Sequence, residues 1–161
     1  MKKLILLCAL LAASIANAQS SVVATYSLLN RQTIQTGWST VLDFETRVVD
    51  SHSAVSGPIP FAWPPAFWRL TVPVGGAGNY FVSFYAQWVG PIGSVSYVYL
   101  RKNGDAFRTL ARADNTPGSL GMSGDTIVPL EPGDWIDLAV MQASGSAREI
   151  SVGHISVFRI P

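Results

Sequence analysis

Residues 78–88 alternate: Tyr80, Val82, Phe84, Ala86 and Trp88 interleave with Phe81, Ser83, Tyr85 and Gln87. A strand sends successive side chains to opposite faces, so one set lines a core and the other looks outward. Comparable short apolar or alternating runs occur at 21–29, 38–49, 94–100, 126–130, 134–142 and 148–160. In a further run, 67–72, Phe67, Arg69 and Thr71 oppose Trp68, Leu70 and Val72. Turn signals separate the runs: Gly75-Gly76, Pro91-Ile92-Gly93, Asn103-Gly104-Asp105, Pro117-Gly118 and Glu131-Pro132-Gly133-Asp134. Past the amino-terminal segment, no stretch holds a helical period behind a capping residue. Short strands at this spacing predict an all-β sandwich or barrel. Residues 51–66 and 105–125 are rich in Gly, Pro, Ser, Asp and Asn, and are expected to be surface loops.

The first eighteen residues follow a different pattern. Lys2 and Lys3 precede an apolar run from Leu4 to Ile15, and Ala16-Asn17-Ala18 supplies a small-x-small cleavage site. This is the layout of a bacterial-type secretory signal peptide, with an apolar run too short to span a bilayer comfortably. The reading is therefore a signal peptide at 1–18 and one domain at 19–161, with no stable membrane insertion after cleavage. Cleavage removes Cys8, the only cysteine, so the domain must hold together by packing alone. It also lowers the basic count from 11 to 9 against 10 acids, a net charge of −1.

Charged residues are only 13% of the chain while 48% are hydrophobic, which argues against disorder and against a basic nucleic-acid-binding stripe. Candidate catalysis finds little support. The mature chain has two histidines, His52 in a Ser-rich loop and His154 in the last strand, and Gly-Met-Ser-Gly-Asp at 121–125 is not a nucleophile elbow. Without cysteine or a histidine pair at ligand spacing, no transition-metal site is expected. Glu131 and Asp134 bracket a Pro-Gly turn, where Asp134 is better understood as a turn former. Asp43 and Glu45 are expected on one exposed strand face. No cofactor is expected, although an oxygen-lined calcium loop at 113–119 stays open.

Four segments together resemble one family. Ile-Val-Pro-Leu-Glu-Pro-Gly-Asp-Trp-Ile-Asp-Leu-Ala-Val (127–140) is similar to the strand, Leu-Glu-Pro-Gly-Asp turn and strand of the C1q-like globular head. Residues 70–88 resemble that family's Val-Pro, Gly, Tyr-aromatic segment, 98–107 its apolar-x-Lys-Asn-Gly hairpin, and 154–161 its closing strand. The segments occur in the family's order. The resemblance implies a jelly-roll β-sandwich of about ten antiparallel strands, related to tumour necrosis factor, assembling as a compact homotrimer that binds rather than catalyses. There is no Gly-X-Y stalk, Val157 stands where the family often has glycine, and the family's calcium ligands find no position-by-position match.

The outward residues then acquire a use. With Tyr80, Val82, Phe84, Ala86 and Trp88 as the inward set, as the resemblance suggests, Phe81 and Tyr85 face outward. With Ser96, Val98 and Leu100 inward, Tyr97 and Tyr99 face outward too. The two strands are expected to lie in one sheet. Four exposed rings would approach roughly 600–1,000 Å², more than the largest patch of a typical monomer. Phe81, Tyr85, Tyr97 and Tyr99 are therefore assigned to the trimer interface. Pro58, Pro60, Pro64 and Pro65 stiffen a loop in which Phe61, Trp63, Phe67 and Trp68 either offer flat faces to a ligand or plug one end of the sandwich.

The expected role is recognition or adhesion by a secreted or cell-surface homotrimer, whose partner is a surface protein or glycan. Two other classes remain: a structural component of a virion or appendage, such as a phage fibre, spike or head-decoration protein at the virion surface, and a carbohydrate-active β-sandwich enzyme.

Overall fold

The computed structural model describes residues 22–57, 67–115 and 117–161. The signal segment, Phe61 and Trp63 lie outside the described residues. Twelve strands follow in order: β1 (Val23–Ser27), β2 (Gln32–Ile34), β3 (Thr40–Val41), β4 (Thr46–Asp50), β5 (Val55–Ser56) and β6 (Arg69–Thr71), then β7 (Gly78–Trp88), β8 (Ser96–Lys102), β9 (Asp105–Ala113), β10 (Gly121–Leu130), β11 (Trp135–Gln142) and β12 (Arg148–Arg159). They form two antiparallel sheets. The first runs β10-β7-β12-β1-β4, with β2 also on β12; the second runs β5-β6-β11-β8-β9, with β3 also on β11.

The alternation in β7 decides the packing. Tyr80, Val82, Phe84, Ala86 and Trp88 are all buried, and so are Ser96, Val98 and Leu100 of β8. These two sets meet across the sandwich with Ile136, Leu138 and Val140 of β11 and Ile155 and Val157 of β12 in one continuous core. Burying each large apolar side chain contributes about 1.5–3 kcal/mol, so this core stands in for the missing disulfides.

Three expectations are corrected. First, residues 38–49 are not one strand. After β3 pairs with β11, the chain crosses between sheets, burying Leu42 and Phe44 on the way, and resumes as β4 beside β1. Asp43 and Glu45 therefore sit in the crossing, not on a strand face. Second, 105–125 is mostly strand. The hairpin into β9 turns at Asn103 and Gly104, whose φ values of 53° and 96° are those of a two-residue turn with both residues left-handed. Strand β9 is an edge strand whose first five residues are all exposed, so that stretch carries no alternation to read. Third, β7 and β8 lie in different sheets.

The sandwich closes along one side where β9 approaches β10. A Cβ on Gly124 would lie 2.4 Å from the Leu110 carbonyl oxygen, a backbone atom that cannot swing away. Glycine there lets the two sheets meet. On the opposite side, Asp50 ties β4 to the following turn. Its carboxylate accepts from the backbone N–H groups of Ala54 (2.9 Å), Val55 (3.1 Å) and His52 (3.3 Å), and from the Tyr26 hydroxyl (3.1 Å). Burial alone would raise the Asp50 carboxyl, but these donors outweigh it and hold it below the usual carboxylate range. Burial, reinforced by the bond to Asp50, pushes the Tyr26 phenol up to about 12.

Two outcomes follow from these contacts. Gly124→Ala is expected to cost about 1–3 kcal/mol in a denaturant melt, because backbone must move to admit the methyl group. The stabilisation from Asp50 is present above its unfolded value near pH 4 and is lost as pH falls through its lower folded value. The phenol of Tyr26 gives the opposite limb: its contribution is present below about pH 10 and is lost as pH rises towards about 12. Melting curves of Asp50→Asn and Tyr26→Phe should flatten the acid and alkaline limbs respectively.

Candidate functional site

Opposite outer faces of the sandwich carry the outward aromatics, because Phe81 and Tyr85 belong to the first sheet and Tyr97 and Tyr99 to the second. The four cannot form one interface patch. The pleat turned each ring outward as expected, but the chain changes sheets between β7 and β8.

On the first sheet, the pairing registers set the outward residues in rows across β10, β7, β12 and β1. One row is apolar: Ile127, Phe81, Phe158 and Val23. Phe81 and Phe158 touch with ring centroids 5.0 Å apart, while Ile127 and Phe158 remain 52% and 42% exposed. The next row is polar: Asp125, Ser83, Ser156 and Thr25. Thr25 and Ser156 share a 3.2 Å hydrogen bond between their hydroxyls. The third row is Ser123, Tyr85, His154 and Ser27, with Tyr85 and His154 stacked at 5.8 Å. Phe158 was legible in the closing strand, since Ile155 and Val157 face inward and their neighbour must face outward.

The second sheet is built from charged and aromatic pairs. The Arg69 guanidinium lies 3.4 Å from the centre of the Trp135 ring, a cation–π contact. Asp137 is buried and holds Arg101 through two 2.6 Å bonds, from Nε and from an Nη. That bidentate bond, the largest influence on the guanidinium, keeps Arg101 firmly charged. Tyr99 stands opposite the fully buried Ala139 in the ladder and donates its hydroxyl to Ser39 beyond β11. Arg112 sits 5.5 Å from the Tyr97 ring centre and is paired with Asp114 at 3.0 Å. Over the outer face of β8, β9 and β11 a cleft of about 500 Å³ opens, lined by Tyr97, Tyr99, Ala106, Phe107, Arg108, Thr109 and Met141. Phe107 escaped sequence reasoning because its segment carries turn-rich composition and no alternation.

The Pro-Trp loop is only partly described. Phe67 is 47% exposed, and Trp68 is fully buried. Trp68 meets Tyr26 and Phe44 edge-on, with centroids 5.9 and 5.4 Å away. It is therefore a core residue and cannot present a face to a ligand, which corrects its place in the candidate ligand loop. Three of the four acids weighed for glycoside cleavage, Asp43, Glu45 and Asp134, have structural partners. Asp43 accepts from the Trp68 N–H at 2.8 Å and Glu45 from the Leu29 N–H at 2.6 Å. Asp134 accepts from Lys102, Asn103 and the Glu131 N–H, with its pKa drawn down chiefly by Lys102. Among the described residues no three His, Cys, Asp or Glu side chains gather to hold a metal. In the segment weighed for calcium, Asp114 is engaged by Arg112.

No protein-family model matches the sequence, and no curated protein matches it. Solved structures do. The globular domain of zebrafish complement 1qA superposes with a TM-score of 0.57 at 16% identity, covering 87% of this chain and 98% of that one. Murine APRIL gives 0.58 at 11% identity, covering 88% of this chain and all of its own. Eiger TNF from S. frugiperda gives 0.55 at 10% identity, over 88% and 93%. The chain has the C1q/TNF-type jelly-roll fold.

Trp68→Ala tests the core placement of that ring. Emptying the space between Tyr26 and Phe44 is expected to cost about 3–5 kcal/mol in a denaturant melt. A melt unchanged within 1 kcal/mol would return Trp68 to the surface.

Proposed function

We propose that the chain is an exported, non-enzymatic binding module that works as a homotrimer and recognises a protein or glycan at a surface. One observation carries the reading: the first sheet leaves an apolar row on its outer face, with Ile127 and Phe158 about half exposed beside Phe81. Each aromatic ring offers about 150–250 Å². Covering such area gains about 25 cal/mol per Å², and three copies converging around a three-fold axis cover one another's rows. The likeness to a C1q domain and to TNF-type proteins supports a binding role, and the signal pattern at 1–18 supports export. The interface assignment is narrowed to Phe81 and Tyr85 and the rows that each shares with β12; Tyr97 and Tyr99 leave it. Three copies of a weak site then gain strength by acting together.

Sedimentation of the processed protein is expected to give the mass of three chains at micromolar concentration. Replacing Phe81 and Phe158 together by serine should give the mass of one chain with the β-sheet circular dichroism retained. A wild-type protein that stays at one-chain mass into the submillimolar range would overturn the trimer.

A further inference from the structure

The cleft on the second sheet is unlike the rest of that face. Its neighbours there are already engaged: Arg69 with Trp135, Asp137 with Arg101, and Arg112 with Asp114. The cleft lining instead combines aromatic rings, a thioether and the hydroxyls of Tyr97, Tyr99 and Thr109 with a single formal charge, that of Arg108. No carboxylate lines it. Phe107 remains 39% exposed although it stands on a folded strand. The β8–β9 ladder slips register twice here, between Val98 and Tyr99 and again between Leu100 and Arg101. Bulges of this kind re-aim side chains and gather at functional surfaces. The second slip leaves Phe107 as the extra residue, between the Leu100–Arg108 and Arg101–Ala106 pairs, and Phe107 and Arg108 both line the cleft. Tyr99 is fixed in place by its bond to Ser39, so one wall is rigid before anything binds.

We propose that this cleft binds a carbohydrate whose terminal sugar carries a carboxylate. The proposal rests on the binding-module reading and names the ligand class that module would take. A pyranose presents an apolar C–H face that can lie against the electron-rich face of Tyr97 or Phe107. Its hydroxyls meet Thr109 and water at the rim. The planar fork of Arg108 matches a carboxylate with two parallel hydrogen bonds and has no acid in the cleft to compete for it. Size points the same way. A volume of about 500 Å³ is that of a small-ligand site, whereas a stable protein contact covers roughly 800 Å² on each partner. Trp38 extends the idea at one end. It is 74% exposed, next to Ser39, and its neighbour Gly37 is hydrogen-bonded to Gln142, one residue beyond Met141 of the cleft. An indole held so openly beside the cleft offers a further stacking face to a longer glycan.

The test uses oligosaccharides ending in sialic or glucuronic acid, each beside the same oligosaccharide without its acidic sugar. Titration calorimetry of the processed protein should show the acidic member binding at least tenfold more tightly. Arg108→Gln should erase that preference, and Arg108→Lys should restore part of it. Phe107→Ala should weaken the acidic member at least tenfold, with the melting curve reporting that the domain still folds. On the unmodified protein, amide NMR shifts induced by the acidic sugar should centre on Tyr97, Phe107 and Thr109, so the site can be located without any variant. Absence of binding, equal binding of both members, shifts centred elsewhere, or a preference that survives Arg108→Gln would each overturn the proposal. Sedimentation of the same samples separates the two readings. A monomer that binds the acidic sugar defeats the trimer alone, and a trimer that ignores it defeats the cleft alone.

Discussion

A two-layer sandwich gives a side chain three places to go: the space between the sheets, or one of two surfaces that face away from each other. Because the pleat has a period of two, the residues filling the middle fix which of their neighbours reach a surface, and the sheet they belong to fixes which surface. In this protein Tyr80, Val82, Phe84, Ala86 and Trp88 fill the middle from one side, and Val98, Leu100, Leu138 and Val140 from the other. Everything outside follows. Phe81 and Tyr85 must appear on one surface, and Tyr97 and Tyr99 on its opposite.

That separation lets the two surfaces differ in chemistry. The first-sheet face is ordered in cross-strand rows, apolar then polar then aromatic, with few charges to desolvate. Such a face suits close contact with a copy of itself. Across the second-sheet face, ion pairs and cation–π contacts engage most of the charges named, and the cleft beside them carries one arginine. A face of that kind keeps its water until a polar ligand displaces some of it. The two surfaces lie on opposite sides of the sandwich, so the proposed self-association and the proposed ligand capture would not compete.

Much of this was readable from the residues. The turn at Asn103-Gly104, the inward set of β8 counted back from it and the alternation of Trp68, Leu70 and Val72 stand as expected, and so does the inward set of β7 that the family resemblance suggested. What periodicity cannot give is sheet membership, because a strand paired in either layer shows the same alternation. The segment 89–95 carries the chain from one layer to the other, and nothing in its composition distinguishes that crossing from a hairpin. The four rings therefore looked contiguous when they are back to back. The cleft was illegible for a related reason. The first five residues of strand β9 are exposed and the strand slips register twice, so Phe107 and Arg108 sit in a stretch with no pattern to read. Trp68 shows the converse: its alternation pointed inward, while its proline-rich surroundings pointed outward, and packing against Tyr26 and Phe44 decided the matter.

The pairing of β1 with β12 has a consequence for how the domain can be attached to anything else. Val22 accepts a hydrogen bond from the Arg159 N–H at 2.9 Å, so the fold begins and ends at one spot, on adjacent strands of the first sheet. A tether at either terminus would pull on the same place. The two ends could be sewn together by a short linker and the chain reopened at an exposed turn such as Asn103-Gly104 without disturbing the strand order, making this domain a natural candidate for circular permutation or for insertion whole into the loop of a host protein.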